Sequence, residues 1–459
     1  MLGPGTATAQ LVMWTQPAVD GNMGRSFHAM AYDTARCVTV LHGGQGTGGG
    51  TGSETWEWNG TAWTYRGNNY PYRVNHAMAY DAARGVTVLF GGFDTGGSPK
   101  GDTWEWNGGA WTQRSTVGPL NRTSHAMAYD AVRGVTVLFG GSTGTFSPWN
   151  DETWEWNGAT WTQRTVSGPS ARQSHAMAYD AARGVTVLFG GQTGQFVPNG
   201  ETWEWNGATW TQRIVSGPSP RYGHAMSYDA SRGVTVLFGG RNDNAISGET
   251  WEWNGTTWTR RVVSGPSPRD GHAMAYDAGH GATVLFGGYT ANGETWDFGI
   301  QIGSKIVCSG GATSFAVSAF GSGPFAYQWQ VQTATNTWLT LANNPAPLPC
   351  GGSASCYATP SNSPTVTMGV HPCPGDPTAP QHFQVRCVVT NSCGSVTSNE
   401  GTYTNCPADF NCSGSLTIND IFSFLSAWFA GTPAADFNGV NGIGITDIFD
   451  FLAAWFAGC

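Results

Sequence analysis

The chain has 459 residues, enough for about two to four domains. Only 11% of them are charged, less than half of the roughly 25% usual in globular proteins, while glycine numbers 66 and tryptophan 22. A net charge of −9 with only two lysines, Lys100 and Lys305, argues against nucleic acid as a partner, and no apolar run reaches membrane-spanning length, so no transmembrane segment is expected.

At the N-terminus, Thr6-Ala7-Thr8-Ala9-Gln10 has the small residues of a signal-peptide cleavage site, but no basic and apolar regions precede it. The expectation is that Met1 is an internal start, that most of a signal peptide lies upstream, and that the protein is extracellular or held at the cell surface.

From residue 11 to 300 a unit of 48–50 residues recurs six times, with histidines at His28, His76, His125, His175, His224 and His272. A period this long marks a blade or solenoid array. In the second copy, four runs rich in Val, Phe, Trp and Thr read as strands: His76–Tyr80, Gly85–Phe90, Thr103–Trp106 and Ala110–Gln113. The first two are joined by Asp81-Ala82-Ala83-Arg84-Gly85 and the last two by Asn107-Gly108, both strong turn signals. Each unit is therefore a four-stranded antiparallel meander with two apolar faces, which it can bury only between neighbours. Radial stacking of such sheets is a β-propeller. The sixth copy stops without its W-T strand, and Met13-Trp14-Thr15-Gln16 supplies a match before the first copy, so an N-terminal strand is expected to close the ring.

The Gly-Gly after an apolar strand, a tryptophan 19 or 20 residues later (Gly92 to Trp111, Gly141 to Trp161) and the opening Arg-x-x-His resemble kelch repeats. A Trp pair followed by Asn-Gly stands where kelch units usually carry Tyr and Asp, which weakens transfer of any particular partner.

The composition shifts after residue 300, and nine of ten cysteines lie beyond residue 307. Residues 301–405 resemble a bacterial immunoglobulin-like β-sandwich with a Cys-rich insertion. The resemblance implies a buried Trp329 with Cys387 on the strand facing it, while Phe315 stands where antibody-type domains place a partner cysteine. Cys308, Cys350, Cys356, Cys373, Cys387 and Cys393 are disulfide candidates with 15 possible pairings. Cys37, which replaces a glycine of the other copies, reads as a lone thiol.

Residues 406–459 hold a second repeat of period 27, each half a twelve-position loop followed by an apolar helix. In the first loop Asp409, Asn411, Ser413, Thr417 and Asp420 place side-chain oxygens at positions 1, 3, 5, 9 and 12, with Gly414 at the sharp turn and the Ser415 carbonyl at position 7. A hard, oxygen-seeking Ca²⁺ needs that spacing. The second loop keeps Asp436, Asn438 and Asp447 with the Gly442 carbonyl, but has Val440 at position 5, Asn441 at 6 and Gly444 at 9, so weaker binding is expected. The pair resembles a dockerin, and its Gly-Cys ending resembles the variant on secreted planctomycete-type bacterial proteins. The resemblance implies calcium as cofactor and a cohesin-like or cell-surface anchoring partner. Cys406 and Cys459 bracket the module and are a further disulfide candidate; a free Cys459 used in anchoring is the alternative. Ile421, Phe424, Leu425 and Trp428, matched by Ile448, Phe451, Leu452 and Trp455, read as the buried stripes of two antiparallel helices, leaving Phe429 and Phe456 as a docking face.

The six Arg-x-x-His pairs and the repeated acids Glu54/Glu57, Glu152/Glu155 and Glu201/Glu204 could hold a metal or form a glycosidase pair. Their recurrence in every unit favours structural roles, with the histidines hydrogen-bonded to neighbouring backbone. Specific function is expected in the unequal loops between second and third strands, which carry Lys100, Phe146, Trp149, Phe196, Arg241 and Asn244. The favoured reading is a secreted, non-catalytic recognition protein binding a protein or carbohydrate. The competing one is an extracellular carbohydrate oxidase resembling galactose oxidase, which needs Tyr, His and Cys converging on copper.

Overall fold

A computed structural model describes residues 11–17, 24–46, 52–68, 70–144, 149–242, 245–289 and 293–301, strands between 305 and 405, and residues 418–432, 435–437 and 442–457. Two compact units divide the chain, one spanning Met13–Gly299 and the other most of the remainder.

The first unit is a six-bladed propeller. Blade 1 runs Ala29–Asp33, Val38–His42, Glu54–Trp58 and Trp63–Asn68, hydrogen-bonded in that order, and blades 2 to 5 repeat the meander. The first strands of adjacent blades approach one another all the way round, which places them innermost. In blade 6 the order is Ala273–Asp277, Ala282–Phe286, Thr295–Gln301 and then Leu11–Thr15, so the N-terminal strand closes the ring as the missing W-T strand required.

Alternation along the strands builds the seams between blades. Ala29, Ala31 and Val40 of blade 1 pack on Met78, Tyr80, Leu89, Trp106 and Trp111 of blade 2, and the same pattern recurs at the other seams. Trp58, Trp106, Trp156, Trp205 and Trp253 are fully buried. Each outer tryptophan donates its indole N–H to a threonine of the preceding blade: Trp111 to Thr55, Trp161 to Thr103 and Trp258 to Thr202, at 2.8–2.9 Å. Trp14 does the same to Thr250 at 2.9 Å, so the closing strand is held as firmly as an interior one.

The second unit contains a six-stranded sheet, five strands in one path and a sixth paired to its middle strand, and a four-stranded sheet. Trp329 is buried and sits directly opposite Cys387, on the neighbouring strand of the same sheet. Two helices follow, α1 (Ile418–Phe429) and α2 (Ile445–Ala457). Phe424 and Phe451 stack face to face with centroids 4.2 Å apart, and Phe437 packs edge-on against both. The apolar stripes thus bury against each other, while Phe429 and Phe456 remain 78% and 77% exposed.

Two cysteine expectations are corrected. Cys37 is disulfide-bonded rather than a lone thiol. Cys387 is a thiol rather than half of a disulfide, and burial pushes its pKa up to about 12. Cys308, Cys350, Cys373, Cys393, Cys406 and Cys459 lie outside what is described, as does the Cys356 side chain.

Candidate functional site

The repeated charged residues build the blades. Each Arg of Arg-x-x-His is buried and paired with the acid that opens the third strand of its own blade: Arg122 with Glu152 at 2.5 Å, Arg172 with Glu201 and Arg269 with Glu294, both at 2.6 Å. The second acid of each pair lies at the opposite end of the blade. Glu155, almost wholly buried, pairs with Arg133 from the tight turn and, at 2.6 Å, with Arg164 from the outer strand. The Trp205 indole of the next blade donates to the same carboxylate at 3.3 Å. These acids are committed to guanidinium and indole partners within the framework.

The six histidines are structural, each buried at a seam. Backbone carbonyls of the preceding blade act on five of the rings, Phe286 on His28, Phe90 on His125, Phe139 on His175, Phe189 on His224 and Phe238 on His272, although no ring nitrogen makes a well-aligned hydrogen bond among the described residues. The His125 ring instead meets the edge of Phe90 at 5.5 Å, and its Cε1 stands 2.9 Å from where a Cβ on Gly91 would fall, so the first glycine of the Gly-Gly pair is the floor of its seat. Burial, aided by Arg122, lowers the His125 pKa to about 3, although the Phe90 carbonyl acts the other way. His28 and His224 are lowered to the same value for the same reasons. Among the described residues no group of three or more His, Cys, Asp or Glu could hold a metal ion.

Symmetry breaks at the mouth of the ring. The residue before each histidine has φ between 54° and 67°: Phe27, Asn75, Ser124, Ser174, Gly223 and Gly271. Their backbones form a closed hydrogen-bonded circle, each N–H donating to the same position in the preceding blade, from Asn75 to Phe27 at 3.0 Å round to Phe27 on Gly271 at 2.7 Å. The left-handed conformation turns each amide along the circle. The circle is uniform, but the side chains it displays are not.

At blades 5, 6 and 1 the mouth combines two glycines with aromatic and charged groups. Phe27 lies over Gly271, where a Cβ would come within 2.7 Å of its ring, and its centroid is 6.5 Å from that of Tyr289, which is 68% exposed. Asp270 is buried beside them. Arg241 reaches it from blade 5 at 3.5 Å, a loose pair that leaves Asp270 Oδ1 and Arg241 Nε without partners among the described residues. Burial raises the Asp270 pKa against the opposing pull of Arg241. On its other side Arg241 borders an open cavity of about 280 Å³ with Asn242, Ile246 and Ser247. A half-satisfied carboxylate and guanidinium can exchange hydrogen bonds with a hydroxyl-rich ligand while the neighbouring aromatic rings stack on its apolar face.

Of the loop residues expected at this end, only Arg241 joins the cluster among those described. Lys100 is occupied by Asp94 at 2.6 Å, Trp149 is half-buried in blade 3, and Phe196 is 64% exposed on blade 4. Phe146 and Asn244 lie outside the described residues. Sequence reasoning missed Phe27 and Asp270, although the residues between Arg and His are the most unequal part of an otherwise uniform motif.

Of the loop positions assigned to calcium, Asp409, Asn411, Ser413, Ser415, Thr417 and Asn438 lie outside the described residues. Asp420 and Asp447, at position twelve, are fully buried in the first turns of α1 and α2, and Asp447 accepts the Gly444 N–H at 2.7 Å. Asp436, at position one, has a buried Oδ1 with no partner among the described residues, chemistry that fits a cation. Gly442, at position seven, takes φ +72°. No protein-family model matches the chain, and no curated protein matches it either.

Proposed function

We propose that the chain is a secreted, non-catalytic recognition protein. Its propeller mouth binds a hydroxyl-rich ligand of the carbohydrate class, and its C-terminal helix pair, charged with Ca²⁺ at the preceding loops, tethers it to a cell surface or complex as a dockerin-like module. The observation that carries the reading is the half-satisfied Asp270–Arg241 pair beside Phe27 and Tyr289, set in a framework whose six-fold repeated arginines and acids are paired with one another. A kelch-type propeller and an immunoglobulin-like spacer fit the sequence resemblances stated above. A glycan array screened with the full chain tests the mouth. Binding that disappears in Asp270→Ala and Arg241→Ala supports it; binding that survives both, or none by wild type, refutes it. Stoichiometric copper in the purified protein would overturn the non-catalytic reading, whereas calcium alone would leave it standing.

A further inference from the structure

Five blades share one four-residue charge ladder at the end opposite the mouth. In blade 4, Asp180 pairs with Arg183 at 2.7 Å, Arg183 with Glu204 at 2.5 Å, and Glu204 with Arg213 of the outer strand at 2.6 Å. The other four are Asp33/Arg36/Glu57/Arg66, Asp81/Arg84/Glu105/Arg114, Asp130/Arg133/Glu155/Arg164 and Asp229/Arg232/Glu252/Arg261. Two acids and two guanidiniums make each ladder neutral. The outer arginine is partly exposed in every case, 42–46% on its side chain, so the position it fills opens to solvent while the acid beneath it stays buried.

Blade 6 departs at three of the four positions. Asp277 remains, His280 replaces the turn arginine and bonds it at 2.6 Å, and Asp297 replaces the glutamate. The outer strand comes from the N-terminus, where Pro17 follows Trp14-Thr15-Gln16 in place of the outer arginine. Thr15 Oγ donates to the Asp297 carbonyl at 3.4 Å, which puts the strand in the same register as Thr112 beside Glu105. The ladder therefore lacks both guanidiniums and, with only His280 to replace them, at least one positive charge. Two buried polar atoms are left without partners here: Asp297 Oδ1, and Nε1 of the fully buried Trp58. At four other seams the matching indole donates to the matching glutamate, as Trp106 does to Glu57 at 3.1 Å.

We infer that the seam between blades 6 and 1 is a binding site for an alkylguanidinium cation, which docks on Asp297 in the place that an outer-strand arginine fills in the other five blades. Charge balance asks for a monovalent cation, and the five filled ladders show that a planar guanidinium fits the position. Burial, with Asp277 behind it, raises the Asp297 pKa to about 7, and among the described residues the cationic group acting against this is His280, whose own pKa Asp277 raises against its burial. From the adjoining blades, Tyr32 faces Asp277, and Arg232 lies over the Phe298 ring with its charge committed to Asp229 and Glu252. Docking of a cation must therefore displace a proton from Asp297 below about pH 7 and tighten as pH rises to 8.

The test titrates the full chain with methylguanidinium chloride at pH 8 and constant ionic strength, read by calorimetry, with tetramethylammonium chloride as control. Saturable heat is expected with half-saturation on the order of millimolar, given so few ligand atoms, together with proton release at pH 6.5. Asp297→Asn should weaken binding at least tenfold. Pro17→Arg, which supplies the guanidinium from within, should abolish the titration and raise the thermal midpoint. A capped Gly-Arg-Gly peptide is run in parallel; saturation by it too assigns the site to an arginine carried on a peptide, and saturation by methylguanidinium alone assigns it to a free small cation. If neither ligand saturates wild type, or if Pro17→Arg leaves the titration unchanged, the inference falls. Neither result bears on the mouth, whose ligand is read by the glycan array.

Discussion

Removing one indole should show how the ring is closed. Trp14 is 5% exposed, donates to Thr250 at 2.9 Å, and packs against Phe238 and Phe298 with centroids 5.1 and 4.8 Å away. Trp14→Ala deletes a buried aromatic, a loss worth about 3–5 kcal/mol in a core that relaxes only partly. It also leaves the buried Thr250 hydroxyl without its donor, a penalty of about 1 kcal/mol that the upper half of that range already contains. We take about 4 kcal/mol, which for a propeller of this size lowers the thermal midpoint by roughly 8–16 °C at 2–4 °C per kcal/mol. Trp258→Ala is the matched control, because Trp258 makes the same bond to Thr202 and the same contact with Phe189, at 5.3 Å, in an interior seam. Thermal unfolding of the full chain followed by near-ultraviolet circular dichroism should show both variants falling, Trp14→Ala by at least as much, since it also loosens the only strand not joined to its blade by a hairpin. A fall of less than about 1 kcal/mol for Trp14→Ala beside a full fall for Trp258→Ala would refute closure by the N-terminal strand.

Acid should unfold the propeller early. Buried histidines with folded pKa values near 3 take up protons only when unfolded, so their contribution is complete above pH 6.5 and is lost as pH falls towards 3; at pH 5 each costs on the order of 2 kcal/mol. Urea midpoints that stay level from pH 7 to 5 would contradict this. Glu155→Gln leaves Arg133 and Arg164 short of their counter-charge at a nearly buried site, and a stability loss of about 3 kcal/mol is expected in urea unfolding; a loss under 1 kcal/mol would show the ladder to be ornamental. Gly271→Val strains a φ of +63° and drives a methyl into Phe27, so it should reduce ligand binding at the mouth at least tenfold, measured on whichever glycan the array identifies, with the histidine seats intact by circular dichroism.

The propeller was legible in the sequence because one pattern was written six times, and averaging over copies cancels local ambiguity. Strand limits slipped by a residue at His76, which stands outside its strand because its side chain is needed at the seam. The truncated sixth copy and the Met13–Gln16 match foretold the order of blade 6 correctly. The histidine seats were not legible: nothing in Arg-x-x-His says that the ring's neighbours will be a glycine and a phenylalanine edge in the preceding blade, some 35 residues away. The mouth was half-legible. Arg241 stood out as a charge in a variable loop, whereas Asp270 was hidden inside the conspicuous motif, and only the fold brings it to Arg241 across a blade boundary.

The two breaks in six-fold symmetry differ in origin, and the difference bears on function. The gap at Asp297 follows from topology. The closing strand is drawn from the other end of the chain, so the run Trp-Thr-Gln-Arg ends there as Trp-Thr-Gln-Pro, and the ladder, with a shorter acid and a histidine in its remaining places, stays short of positive charge. No such constraint acts on the mouth. Its hydrogen-bonded circle uses backbone alone and accepts Phe, Asn, Ser and Gly at one position, provided each holds a positive φ. Blades 5 and 6 nevertheless place glycines there, which lets Phe27 lie over Gly271 and Asp270 sit against Gly223, and set Arg241 and Tyr289 alongside. Closure of the ring requires none of this, so the mouth is where ligand recognition should be sought first. Moving Asp270 and Gly271 together into blade 3, as Thr123→Asp with Ser124→Gly, would leave the circle intact and should not transfer binding, because blade 2 carries Phe93 where blade 5 carries Arg241, and Thr123 bridges Ser142, so no arginine stands at the equivalent place to meet the new carboxylate.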